Sequence, residues 1–64
     1  RSININKATA EELTSPPPPP EEKALAIIEY RETNGAFRET ADIMKVSGIG
    51  EALYNKIKDD IDVS

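Results

Sequence analysis

The sequence predicts an all-α fold, one compact four-helix domain made from two copies of a paired-helix unit. Three observations predict it. Val46-Ser47-Gly48-Ile49-Gly50 sets a tight glycine turn between a short apolar segment and a helical one. About thirty residues upstream the layout recurs, with Ala10-Glu11-Glu12-Leu13 opposite Thr40-Ala41-Asp42-Ile43 and Ala26-Ile27 opposite Lys56-Ile57. The remaining apolar residues follow helical spacing or fall in loops. A repeat unit usually cannot bury its apolar face alone, so residues 1–64 read as a single domain. Unit one covers about 8–34 and unit two about 38–62.

In chain order, residues 1–8 read as an extended lead-in, with Ile3 and Ile5 alternating against Asn4 and Asn6. Thr9-Ala10-Glu11-Glu12 has the form of a capping box, and a short helix runs on to Thr14. The second helix starts where the prolines end, with Pro20 expected at its first position and Glu21 and Glu22 complementing its dipole. Ala24, Ile27 and Ile28 share a face, and Asn34-Gly35 is a stop signal. Phe37 is expected to plug the core. A third helix is expected over Thr40–Lys45 with Ile43 inward and Met44 left open. In the fourth helix Leu53 and Ile57 make a stripe that Ile61 extends, and residues 62–64 read as a frayed tail.

Composition narrows the function. Sixty-four residues form a core of marginal size, and the chain has neither cysteine nor histidine. Disulfides, zinc–cysteine sites and histidine catalysis are thereby excluded. No apolar run approaches the roughly 18 residues of a membrane span. The fragment is expected to be soluble, and its start at Arg1 without Met suggests an excised domain. Net charge is −4, which argues against wrapping nucleic acid by bulk charge. A localised phosphate site is still compatible with it.

The glycine turn is the candidate for that site. Glycines 48 and 50 can adopt positive φ and leave the backbone bare. The N–H groups of Gly48, Gly50, Ala52 and Leu53 would point at one phosphate, at the positive end of the following helix. Ile49 would pack beneath as a pin. Ser47 adds a hydroxyl donor or caps the turn locally. Lys45 and Lys56 supply counter-charge, or are ordinary solvated lysines. Tyr30 and Tyr54 read as half-buried aromatics rather than stacking platforms. The Asp and Glu residues form no catalytic pair, and the chain is not expected to be an enzyme.

Val46-Ser47-Gly48-Ile49-Gly50 resembles the helix-hairpin-helix DNA-binding motif. The ordered set formed by residues 3–13, Ala24-Leu25-Ala26-Ile27-Ile28-Glu29-Tyr30-Arg31, Asn34-Gly35-Ala36-Phe37 and the second turn is similar to the ComEA-type competence DNA receptors. Secreted relatives such as the extrinsic photosystem II subunit U share the scaffold. The resemblance covers nearly the whole chain and implies a tandem helix-hairpin-helix domain. It further implies non-sequence-specific binding of double-stranded DNA through backbone phosphates, each hairpin holding a strand across the minor groove. It implies a monovalent cation, Na⁺ or K⁺, on the main-chain carbonyls of Met44, Val46 and Ile49. It also implies a receptor tethered outside the cytoplasmic membrane that passes captured DNA to an uptake channel.

The first hairpin departs from the family. An apolar residue followed by Pro-Gly-Ile-Gly-Pro is expected across positions 16–21, where this chain has five prolines and Glu21. Prolines offer no N–H, so this hairpin cannot grip phosphate through its backbone. The equal-length change reads as an engineered loop, with a native polyproline II linker as the alternative. That alternative carries a second functional reading, a protein-interaction or structural module that displays the prolines and never meets DNA. An extended strut over Ser15–Pro19 would not close a hairpin. Ile5 and Leu13 would then seek the Ala24, Ile27 and Ile28 face of another copy, giving a domain-swapped dimer.

Overall fold

Thr9 opens the first helix by the expected reciprocal cap: the Glu12 N–H donates to Thr9 Oγ1 at 3.1 Å and the Thr9 N–H to Glu12 Oε1 at 2.9 Å. The structure is a computed structural model that describes residues 2–14 and 20–64. Its elements are β1 (Ile3–Asn4), α1 (Ala10–Leu13), α2 (Glu21–Asn34), a 3₁₀ helix (Thr40–Lys45), α3 (Glu51–Ile57), a 3₁₀ turn (Lys58–Asp60) and β2 (Ile61–Asp62). Four predicted helical segments occur in the predicted order. With only four residues, α1 is far too short to stand by propensity, and it is held by packing on α2 through the buried Leu13.

Pro20 sits one position earlier than expected. It is the N-cap of α2, at φ −58° and ψ 157°, and its carbonyl accepts the Lys23 and Ala24 N–H groups at 2.9 and 3.1 Å. An extended ψ cannot belong to a helical residue, so the helix starts at Glu21. The stop signal holds: Gly35 has φ 93° and returns its N–H to the Arg31 carbonyl at 2.9 Å. Of the altered hairpin at 16–20, Pro20 alone is among the described residues; Pro16–Pro19 and the strut expected over Ser15–Pro19 lie outside them.

The third helix is 3₁₀ rather than α. Bonds from Asp42 N–H to Glu39 O (3.0 Å) and from Val46 N–H to Ile43 O (3.1 Å) frame six residues. So short a segment, containing Thr40 and Asp42, gains little from α-helix propensity, and the i→i+3 pattern satisfies its ends more tightly. Ile43 is fully buried and Met44 is exposed.

The frayed tail is a further correction, and it modifies the all-α expectation. Ile61 and Asp62 pair in parallel with Ile3 and Asn4, and Ile5 N–H continues the ladder to Asp62 O at 3.0 Å. Asn4 Nδ2 donates to Ser64 O (2.9 Å) and Oγ (3.1 Å), and Ser2 Oγ donates to the Asp62 carboxylate. Ile3 and Ile61 are drawn against the core, and their backbone groups then need partners, which each segment provides for the other.

One core takes residues from both units: Ile5, Ala8, Leu13, Ala24 and Ile27 from the first half, Phe37, Ile43, Val46, Ile49 and Ile57 from the second. Ile5 and Leu13 thus find apolar partners within one chain. The lead-in is pinned as well as buried. Asn6 donates to Phe37 O at 3.0 Å and accepts from the Phe37 N–H at 2.6 Å, while Arg31 Nη1 donates to Ile5 O at 2.9 Å. Phe37 stacks on Tyr30, with ring centroids 5.4 Å apart and planes 12° apart. Tyr54 shares a 3.2 Å hydrogen bond with Thr40 Oγ1. Both tyrosines are half-buried.

Candidate functional site

The turn that follows the 3₁₀ helix is built on two buried pins. Val46 and Ile49 are each about as buried as the core itself, and the Ile49 N–H closes the turn on the Val46 carbonyl at 3.0 Å. Between them stand Ser47, whose φ is negative, and Gly48 at φ 91°. That is a type II turn, which requires a positive φ at its third residue and therefore favours glycine there. The two glycines do not play the same part. Gly50 is extended, at φ −100° and ψ −170°, and serves as the N-cap of α3. A methyl group on Gly50 would meet nothing within 4 Å. Neither backbone conformation nor packing therefore demands glycine at position 50.

The donors line up as follows. Tyr54 N–H to Gly50 O, at 3.0 Å, is the first main-chain bond of α3. The N–H groups of Gly48, Gly50, Ala52 and Leu53 have no acceptor among the described residues. Ser47, Gly48, Gly50 and Ala52 are exposed, and Leu53 is half-buried against the core. Ser47 Oγ makes no hydrogen bond to the described residues. Of the three carbonyls in the cation expectation, that of Val46 already accepts the Ile49 N–H, and the exposed Met44 begins the approach to the turn.

The charges are arranged less simply than the sequence suggests. Lys45 Nζ lies 3.3 Å from Asp42 Oδ1 within the 3₁₀ helix, which spends part of its charge locally. Asp42 feels desolvation that raises its pKa, but the Glu39 and Arg38 N–H groups and Lys45 outweigh it and hold the carboxyl below its ordinary value. Lys56 is exposed on α3, and Glu51 places a carboxylate at the start of that helix. Sequence reasoning missed Lys23. An ideal Cβ at Gly48 would stand 2.5 Å from Lys23 Nζ and 3.4 Å from its Cδ and Cε. Ala26 and Tyr30, further along the same face of α2, border a groove with Val46 and Ser47. No local signal joins position 23 to position 48. A fold prediction that docks unit one against the second turn is the route to that pair.

A family model for the helix-hairpin-helix motif matches residues 1–62. The chain is 54% identical over 61 residues to ComE operon protein 1 of Bacillus subtilis (strain 168), covering 95% of this chain and 30% of that protein. It is 44% identical over 62 residues to endonuclease/exonuclease/phosphatase family domain-containing protein 1 of Xenopus laevis, covering 97% of this chain and 11% of that one. A Haemophilus influenzae protein of uncharacterised function is 42% identical over 60 residues, with 54% of its length covered. The chain thus spans about a tenth to a half of the length of these relatives. With nearly every residue inside the match and the turn in place, this chain belongs to the helix-hairpin-helix family.

Proposed function

We propose that this domain binds double-stranded DNA without regard to sequence, through backbone phosphates held at the second hairpin. The observation that carries the reading is the Gly48–Leu53 segment. Within it the N–H groups of Gly48, Gly50, Ala52 and Leu53 have no acceptor among the described residues, three of these four residues are exposed, and Gly50 is bare although nothing inside the protein requires it to be. Amide donors on an uncluttered backbone suit a phosphate oxygen, and phosphates carry no base identity. The family match and the similarity to ComE operon protein 1 support the same conclusion.

The grip is weak by design of the chain. Five prolines at 16–20 give the first hairpin no amide to donate, and net charge is −4. We expect a Kd on the order of 10⁻⁴ to 10⁻⁶ M near physiological salt, the range of nonspecific complexes. The domain acts as a binding module rather than an enzyme, since a sequence without histidine or cysteine lacks the common nucleophile–base sets. The carbonyl lone pair of Val46 not used by Ile49, with the carbonyls of Met44 and Ile49, is our assignment for a Na⁺ or K⁺ ion that steadies the turn. A membrane-tethered receptor outside the cytoplasmic membrane, working in DNA uptake, is the setting we propose from the family resemblance.

Titrating two labelled duplexes of unrelated sequence at about 50 mM salt tests this. Equal affinities that fall together as salt rises are expected. Absence of binding, a strong preference for one duplex, or binding unchanged when Gly48 and Gly50 become proline would overturn the assignment.

A further inference from the structure

Lys23 belongs to the first unit, yet its side chain ends at the turn of the second. The α2 face that carries Lys23, Ala26 and Tyr30 at helical spacing runs along that turn: Ala26 and Tyr30 border Val46 and Ser47, and Lys23 reaches Gly48. Because residue 48 has no side chain, the ammonium comes within roughly 4 Å of the Gly48 Cα. Lys23 is half-buried and has no ion-pair or hydrogen-bond partner among the described residues. Its ammonium, unpaired beside backbone amides that also lack acceptors, is placed to take up an anion at the turn. The other charges fit this reading. Lys45 is paired with Asp42 within its own 3₁₀ helix, Glu51 is negative and the chain as a whole is acidic, so Lys23 adds positive charge where the second unit offers the exposed Lys45 and Lys56.

We propose that Lys23 is the cationic phosphate contact of the second hairpin, which makes the site composite: an ammonium from unit one and backbone amides from unit two. This rests on the nucleic-acid reading above. It explains how the first unit still serves binding when its own hairpin has no amide to offer. It also gives Gly48 a second reason to be glycine beside its positive φ, since a side chain there would displace the ammonium.

The test is fluorescence anisotropy of the 64-residue chain with a labelled duplex of about 20 base pairs, from about 25 to 200 mM salt. Lys23→Met should weaken binding about three- to tenfold at 50 mM and make the log–log salt slope shallower by about 0.9, the loss of one phosphate contact. Lys23→Arg should restore both. Lys7→Met, which changes net charge equally from an exposed position in the lead-in, should stay within twofold. A thermal midpoint for Lys23→Met within a few degrees of the parent separates the effect from misfolding. Lys23→Met binding within twofold at an unchanged slope would overturn the composite site and leave DNA binding standing. A parent chain that binds no duplex takes both down.

Discussion

Gly48→Ala and Gly50→Ala should part stability from binding, because the two glycines are required for different reasons. At position 48 an alanine must adopt φ 91°, and its methyl group meets the Lys23 ammonium at 2.5 Å. The ammonium is the free end of a flexible chain and can move aside, so backbone strain dominates, at about 1–2 kcal/mol. In a domain of this size that lowers the thermal midpoint by roughly 4–16 °C. At position 50 the extended backbone suits alanine, and its methyl group enters open space. Restricting the unfolded chain then stabilises the protein by about 0.4–1 kcal/mol. The same methyl group stands where a phosphate would approach, and losing a hydrogen bond to a charged group costs about 1.5–3 kcal/mol, roughly ten- to a hundredfold in affinity. Circular dichroism melts and duplex titrations of both variants read the two effects. A Gly50→Ala variant that melts as early as Gly48→Ala would refute the backbone argument. One that binds duplex as well as the parent would refute the approach argument.

Other consequences follow from individual contacts. Asn6→Ala leaves the N–H and C=O of the buried Phe37 without their partner and should cost about 1–3 kcal/mol in a urea titration. Asp62 is held below its ordinary pKa first by the Ser2 hydroxyl and then by the Ser64 N–H, and Asp42 is likewise lowered. A lowered folded pKa contributes stability above the unfolded value of about 3.9 that is lost as pH falls through the folded value, so the chain should weaken in acid below about pH 4. Ser2→Ala should reduce that acid sensitivity, as read from urea midpoints between pH 2 and about 6. Glu51→Gln removes the carboxylate beside the hairpin and should tighten duplex binding severalfold at low salt while slightly lowering helix stability.

Much of the fold was legible because it is written in local chemistry. The Thr9–Glu12 cap, the Gly35 stop, the Val46–Ile49 turn and the inward Ile43 and Ile57 each follow from residues a few positions apart. The strand pair was not legible, since two residues carry no period and the partners stand at opposite ends of the chain. The 3₁₀ geometry of Thr40–Lys45 was hidden for a related reason: i→i+3 and i→i+4 patterns put the same residues inward over six positions. At the site, glycine identity could be read but not its division of labour, because φ 91° at Gly48 and φ −100° at Gly50 are set by the turn and the helix cap rather than by residue type. The Asn6 clamp on Phe37 and the reach of Lys23 to Gly48 are long-range side-chain contacts, which become visible once the two units are docked.

Amide chemical-shift mapping with a short duplex tests the central claim most directly. Added DNA should move the amide signals of Gly48 to Leu53, with smaller shifts at Ser47 and Lys23, and leave α1 and the β1–β2 clasp in place. Shifts confined to residues outside the second hairpin, or none at millimolar protein and low salt, would contradict it.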